Sequence, residues 1–305
     1  MPDQPRINNS DWVLLVLLSV VWGSSFSMAK IALADLPPFT IVFCRTGLSA
    51  LVLITLILLQ GQKIPTGIRI WREFLTMGLL NNLIPFSLIF WGQTQIESGL
   101  AAILNATTPI FTVILAHFLT QEKLYPQKVV GILLGFLGVV VLIGIDTLQS
   151  FSLTSLGQVA VLVAACSYGC AGLYGRRFKA IPPMISAMGM LTGTTIMLLP
   201  VVLILDRPWT LSPSVQSGLA VVSLALLSTA VAYLLYFKLL ARVGATNALL
   251  VAFLIPITAL FIGIVFLNEQ LGWNAFVSLG LILSGLAVID GRALRLISNK
   301  PGRAG

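Results

Sequence analysis

Two stretches of this chain share one plan: TPIFTVILAHFLTQEKL, from Thr108 to Leu124, and IPITALFIGIVFLNEQL, from Ile255 to Leu271. Each is a long apolar run with a proline near its start and a glutamate near its end. Pro109 and Pro256 lie 147 residues apart, and so do Glu122 and Glu269. Working outward, residues 98–142 align with 245–289 at that offset without a gap, pairing Ala101 with Ala248, Ile110 with Ile257 and Gly138 with Gly285. Pro37-Pro38 matches Pro182-Pro183 at the nearby offset of 145. Coinciding Leu and Ile residues mean little in an apolar chain. The Pro, Glu and Gly pairs mean more, because each type does something specific to a helix.

Of 305 residues, 57% are hydrophobic and 9% charged, against about a quarter charged in a soluble domain. Lipid must therefore be the main solvent, and the fold class is all-α integral membrane. A spanning helix needs about 20 apolar residues. Ten such runs can be read: 11–32, 38–59, 71–92, 98–119, 126–146, 153–177, 183–205, 215–239, 246–267 and 272–290. The first reads as a spanning helix rather than a signal peptide, since it is long and has a counterpart in the second half. Connections are short and carry Pro or Gly. Pro126 and Pro183 suit the first turn of a helix.

Basic residues set the direction of threading. With the N-terminus inside, 15 of the 18 Lys and Arg residues fall on the inner face. They are Arg6, Lys63, Arg69, Arg72, Lys123, Lys128, Arg176, Arg177, Lys179, Lys238, Arg242, Arg292, Arg295, Lys300 and Arg303. Lys30 and Arg207 fall outside, and Arg45 lies within the second run. Acidic residues divide evenly between the faces. The net charge of +8 is thus a topology signal that meets anionic lipid headgroups. Nothing builds the basic groove that nucleic acid would require. The expected domains are two repeats, 11–147 and 153–290. Five runs is an odd number, so the second repeat enters from the opposite face. The expectation is ten transmembrane helices in two inverted five-helix repeats around a central cavity. Inverted repeats typify secondary transporters, with the site near the midplane between the halves.

A proline inside a span removes the hydrogen bond to the carbonyl four residues earlier. Pro109 does this to Asn105, Pro256 to Ala252 and Pro85 to Asn81. In lipid such a carbonyl costs several kcal/mol unless it is satisfied. Two readings stay open: the kinks line a wet cavity, or a neighbouring Thr or Ser satisfies them. Three cysteines are too few for a disulfide framework. Cys166 and Cys170 share a helix face, but without His or acidic company they read as packing residues rather than metal ligands.

The pattern resembles the drug/metabolite transporter superfamily, EamA type. The resemblance rests on WGSSF (Trp22 to Phe26), PPFTIVFCR (Pro37 to Arg45), the duplicated pair above, and AYLLYFKLLARVGATNALL (Ala232 to Leu250). It covers about 11–290. It implies ten helices, a cavity lined by spans one, three, four, six, eight and nine, and export of small metabolites, with amino acids a common cargo.

Polar groups at mid-depth are expensive and therefore informative. The candidate substrate-binding residues are Trp22, Ser25, Asn81, Asn82, Asn105, Thr108, Tyr168 and Tyr233, with Pro85, Pro109 and Pro256 as kinks. They are neutral donors and acceptors with aromatic walls, suited to a small zwitterion or polar neutral solute. The competing reading is interhelical glue. Arg45 lies some seven residues inside its span, roughly 10 Å deep. It reads as snorkelling toward Asp35 or Asp146, a structural pair rather than a substrate contact. Lys30 reads similarly. His117 reads as interfacial, with a proton relay as the alternative. Lys238 reads as an inner anchor. Glu122 and Glu269 are expected to favour the N-terminus of the next helix, worth about 0.3–1 kcal/mol each. Gly131, Gly135 and Gly138 allow close helix contact, within the chain or against a second subunit.

No catalytic constellation, metal cluster or cofactor motif is legible, and no ATP-binding loop. The expected protein is not an enzyme. It is a secondary transporter that exports small polar metabolites, foremost amino acids, by alternating access. An exchanger of nucleotide-sugars or phosphorylated metabolites, and a non-transporting scaffold or sensor, are the alternatives. The expected partners are a small-molecule substrate and the lipid bilayer, with monomer or homodimer left open. The expected location is a bacterial inner membrane, both termini cytoplasmic.

Overall fold

The computed structural model describes residues 8–144, 152–248 and 250–290. Ten helices in it are long and apolar enough to cross a bilayer: α1 Asn9–Ala32, α2 Pro38–Leu59, α3 Ile68–Gln93, α4 Ser98–Thr120, α5 Pro126–Ile143, α6 Leu153–Phe178, α7 Pro183–Asp206, α8 Val215–Gly244, α9 Leu250–Leu267 and α10 Trp273–Asp290. Each corresponds to one predicted run. Helix is forced on such segments, because lipid offers no partner for a free N–H or C=O. Prolines open α2, α5 and α7, where a missing N–H leaves no bond unmade. Leu59, Leu205, Leu219 and Phe266 stand exposed on the perimeter, as a lipid-facing surface requires. Asp3, Arg6, Asp146, Arg292, Arg295, Lys300, Arg303 and both termini lie outside the described residues.

Every main helix contact recurs with the two halves exchanged. The α1–α9 contact matches α6–α4, α3–α6 matches α8–α1, and α2–α8 matches α7–α3. The pairs α2–α7, α4–α9 and α5–α10 join equivalent helices. These are two inverted five-helix repeats around a shared interior. Glycines permit the tight crossings. A Cβ on Gly23 of α1 would stand 2.2 Å from Thr258 Oγ1 of α9. One on Gly169, the equivalent residue of α6, would stand 3.1 Å from the Thr112 nitrogen of α4.

Helices α5 and α10 meet backbone to backbone. A Cβ on Gly131 would lie 2.6 Å from the Gly285 carbonyl oxygen, and one on Gly138 would lie 3.0 Å from that of Ser278. Gly135 receives the Ile110 side chain of α4. The glycine face of α5 is therefore used within the chain.

The predicted outer end is fastened by carboxylates placed on helix N-termini, where unpaired N–H groups gather. Each comes from the opposite half. Asp35 accepts from the Ser214 nitrogen at 3.0 Å and from Ser217 Oγ at 2.6 Å, at the start of α8. Asp206 accepts from the Thr40 nitrogen and hydroxyl, both at 2.8 Å, at the start of α2. Glu269 accepts from the Ser98 nitrogen at 2.7 Å and the Gly99 nitrogen at 3.0 Å, at the start of α4. Lys30 complements them by donating to the Gln93 and Ile96 carbonyls at the end of α3, at 3.0 and 2.9 Å. It also pairs with Glu97 at 3.7 Å, so its predicted structural role holds. The Ser214 hydroxyl, then that of Ser217, holds the Asp35 carboxyl below its ordinary 3.8. A lowered carboxylate stabilises the fold above its unfolded value, and that contribution is lost as pH falls through the folded one. The Asp35 fastening is thus intact at neutral pH and releases only in strong acid.

Two substitutions on α10 test the packing. Gly285→Ala places a methyl group 2.5 Å from the Gly131 oxygen and should destabilise the protein by about 1–3 kcal/mol. Gly280→Ala meets nothing within 4 Å and should be neutral or stabilising by up to about 1 kcal/mol. Melting temperatures in detergent should separate the two variants in opposite directions.

Candidate functional site

Two π-helical turns mark the interior. One spans Leu79–Leu83 of α3, the other Leu226–Val231 of α8, and they coincide at the 147-residue offset. A π-turn widens the helix by one residue, re-aims side chains and leaves carbonyls to be satisfied from elsewhere. Hydroxyls of the neighbouring helices do this in mirrored fashion. Thr194 of α7 shares its proton between the Gly78 oxygen, 3.0 Å, and its own helix at Met190, 2.9 Å. Ser49 of α2 shares its proton between the Ala225 oxygen, 2.8 Å, and its own helix at Arg45. Ser167 of α6 also donates to Leu80 of the α3 turn, at 2.7 Å, whereas in the other half the turn residue Ser228 itself donates to Val21 of α1, at 3.1 Å.

Of the positions where the mirror fails, one carries a charge. In α7, Met190 places its sulfur 3.7 Å from Asn81 Nδ2 of the α3 turn. The equivalent residue of α2 is Arg45, whose Nε donates to Thr229 Oγ1 of the α8 turn at 2.8 Å. Thr229 passes its own proton to the Leu224 oxygen at 2.9 Å. Arg45 is only 6% exposed. Its guanidinium carbon lies 4.0 Å from the centre of the Phe86 ring and 5.9 Å from that of Phe90, a cation–π contact with α3. The phenols of Tyr168 and Tyr233 stand within electrostatic reach of it. Tyr233 in turn receives Asn81 Nδ2 at 3.4 Å, and Tyr168 meets Phe86 edge to face at 6.5 Å. Among the described residues the terminal guanidinium nitrogens have no hydrogen bond and no carboxylate partner. The expected snorkelling toward Asp35 is corrected: Asp35 is held by Ser214 and Ser217, and the Arg45 head points onto Phe86. The other expected partner, Asp146, lies outside the described residues.

Of the eight residues chosen from sequence, Asn81, Tyr168 and Tyr233 converge on this place. Trp22 joins the same wall through Tyr236 at 5.5 Å, which continues through Phe237 to Tyr233. Asn82 is fully buried and gives its amide to Thr194 at 3.4 Å, a tie between helices. Ser25 spends its hydroxyl on its own helix at Trp22. Thr108 donates to the Asn105 carbonyl at 2.8 Å, which replaces the bond that Pro109 removes. The kink at Pro109 is thus satisfied by a neighbouring threonine. Asn105 itself has a buried side-chain oxygen with no partner. Pro85 follows directly on the α3 π-turn, and Pro256 lies buried inside an unbroken α9. Arg45 and Thr229 complete the cluster. The depth of Arg45 was legible in the sequence, whereas its lack of an ionic partner needed the fold.

Helix α4 is broken into Ser98–Asn105 and Thr108–Thr120. The first part packs on α9, α6 and α1, with Ala101 to Leu104 buried. The second packs on α6 and α5, and buries only Ile110 and Ala116. The bundle is tight at the predicted outer end and looser toward the inner one.

The two glutamates of the repeat diverge accordingly. Gln121 and Asn268, just before them, share a left-handed backbone with φ of 56° and 53°. The Glu122 nitrogen bonds to the Ala116 oxygen, and that of Glu269 to the equivalent Gly263. The local turns are the same, yet the side chains go to different places. Glu269 is buried on α4, whereas Glu122 meets Arg176 at 2.8 Å near the surface. The Arg176 hydrogen bond holds the Glu122 carboxyl below its usual range. Neither caps the following helix, as the sequence had led us to expect. The left-handed residue turns each side chain back toward the opposite half. His117 donates from Nδ1 to the Glu122 carbonyl, 2.8 Å away, at the end of α4, and Lys238 is exposed. A rim cleft of about 470 Å³, lined by Lys30, Glu97 and the turn of Asn268 to Gln270, lies at the outer end beside Glu269.

A duplicated bundle of ten spanning helices with a polar interior where its halves meet defines a multi-pass membrane transporter, not an enzyme. The chain belongs to the EamA-like transporter family, whose pattern matches residues 11–144 and 155–290. It is 27% identical over 278 residues to the uncharacterized transporter YoaV of Bacillus subtilis, covering 90% of this chain and 95% of that one. It is also 27% identical over 294 residues to the probable amino-acid metabolite efflux pump of Escherichia coli, covering 92% and 95%. The uncharacterized inner membrane transporter YedA of Escherichia coli is 26% identical over 277 residues, covering 90% and 89%. A solved crystal structure superposes with a TM-score of 0.65 at 20% identity, covering 96% of this chain and all of that one. The fold is shared with it.

The Arg45–Thr229 contact has a measurable signature. Thr229→Val leaves the buried Nε without its acceptor and should destabilise the protein by about 1–3 kcal/mol. In an Arg45→Met background the same change should cost less, leaving only the loss of the Thr229–Leu224 bond. A double-mutant cycle on detergent melting temperatures measures the coupling.

Proposed function

We propose that this transporter exports small polar metabolites, amino acids foremost, across an inner membrane by alternating access. The observation that carries the reading is the cluster of Asn81, Tyr168 and Tyr233 at the junction of two mirrored halves. Neutral donors and acceptors with aromatic walls suit a small zwitterion. The asymmetry of α4 and of the glutamate pair supports one end closed and the other accessible, with halves able to exchange roles. Trp22 and Asn105 are proposed to extend the site along α1 and α4. Ser25, Asn82 and Thr108 support it through the helices they tie. The efflux pump of Escherichia coli carries an amino-acid metabolite in its name, which favours the same cargo class here. The N-terminus is proposed to be cytoplasmic, from the inner bias of Lys and Arg.

Exchange of nucleotide-sugars or phosphorylated metabolites is the second reading. It asks for several cations at mid-depth. Arg45 is one, whereas Lys238 is exposed.

Proteoliposomes containing the purified protein should release labelled amino acids faster than empty vesicles. Asn81→Ala should reduce that flux at least about tenfold while the variant still inserts and elutes as a folded protein. A scaffold would tolerate the change, and equal flux in protein-free vesicles across a broad amino-acid panel would remove the transport reading. Cysteines placed at residues 4 and 302 should label from the same side of the membrane.

A further inference from the structure

We propose that Arg45 is the anion-binding residue of the interior, taking the carboxylate of a cargo that carries a single acid group. The inference rests on the transporter reading and adds the chemistry of the ligand.

An arginine used as a membrane anchor sends its head outward to water and headgroups. Arg45 does the opposite. Its head lies inside, 4.0 Å from the centre of the Phe86 ring, on a side chain 94% hidden. A buried charge is expensive unless it is paired. Thr229 satisfies Nε alone, at 2.8 Å. A guanidinium carries five N–H donors in a planar fork, so the two terminal amino groups remain for a ligand. Among the described residues, three acids at the predicted outer end of the bundle are committed to helix N-termini: Asp35 on Ser214, Asp206 on Thr40 and Glu269 on Ser98. Neutral Tyr168 and Tyr233 share the space. They can hydrogen-bond a carboxylate but cannot neutralise the arginine themselves.

The broken mirror sharpens the inference. Thr194 and Ser49 hold the two π-turns in the same way, while the charge beside them appears in one half only. A positive charge demanded by helix packing alone would recur in both halves. The equivalent of Arg45 is Met190, beside Asn81. The interior therefore carries a charge at Arg45, between Thr229 of α8 and Phe86 of α3, and none at the equivalent Met190 of α7. A solute with one carboxylate fits this arrangement with its acid end at Arg45 and the rest toward Asn81 and Tyr233. A multiply charged phosphate ester would leave charge facing Met190.

The test uses the full chain in detergent, with the natural L-amino acids and their carboxamides as probes. Each carboxamide keeps the side chain and the amine but lacks the carboxylate. Stabilisation against melting, titrated with each probe, gives an apparent affinity. The expected result is at least one amino acid that binds about tenfold or more tightly than its carboxamide. Arg45→Met should abolish that preference while melting at the same temperature as the unliganded wild type, or higher, because an unpaired buried charge has been removed. Arg45→Lys, which keeps the charge without the fork, should retain the preference at reduced affinity and serves if the methionine variant does not fold. The proposal is overturned if no acid outbinds its amide in the wild type, or if Arg45→Met keeps the preference. Flux in proteoliposomes separates the two readings. Acid-selective binding without flux removes transport and leaves the arginine site. Flux that ignores Arg45→Met removes the arginine site and leaves transport.

Discussion

In a hydrocarbon solvent every main-chain polar group must find its partner inside the protein, and this single requirement organises the molecule. It makes each span a helix and makes each departure from a helix a place where another residue must intervene. The π-turns of α3 and α8 are held by Thr194 and Ser49, and those hydroxyls come from the helices that lie against them. The break in α4 is closed by Thr108. The N-termini of α8, α2 and α4 are closed by Asp35, Asp206 and Glu269. Each repair also fastens one helix to another or fixes a bend. Irregular backbone and tertiary connection are therefore the same set of bonds, and they gather where the halves meet.

Symmetry and its failures divide the labour. The repeat duplicates helices, π-turns, glycine crossings and the left-handed turns at Gln121 and Asn268. Identical local turns deliver Glu269 to a helix N-terminus at one end and Glu122 to Arg176 at the other. Because the halves run in opposite directions, the same local structure operates on opposite faces of the membrane. A bundle of this kind can hold one end shut with the bonds that its other end has released.

The ten spans, the inversion and the break at Pro109 were legible in the amino-acid order, because they rest on composition, spacing and the missing N–H of proline; Pro256 left its helix continuous. The site was legible in part. Asn81, Tyr168 and Tyr233 declared themselves as polar groups at depth. Asn82, one residue on, had the same credentials, but neighbours on a helix point about 100° apart, and only the fold tells which one is spent on Thr194. The π-turns left no composition signal in LLNNL or LLSTAV; their equivalence emerges once the 147-residue offset is carried back into α3 and α8. Arg45 was seen at its depth and given the commonest meaning of a membrane arginine. That no carboxylate pairs with it among the described residues is a property of the surrounding helices together. Glu269 was expected at the N-terminus of the helix that follows it; it serves that of α4 in the other half instead, beyond the reach of local reasoning.

The glycine seam between α5 and α10 has a consequence for movement. With Gly131 and Gly285 in main-chain contact, neither helix has side-chain slack along which to slide. Sliding would drive a carbonyl into a neighbouring Cα. The pair is suited to act as a fixed axle at the side of the molecule, about which the other eight helices tilt, so that a small rotation there becomes a wide opening at the far ends of α4 and α9.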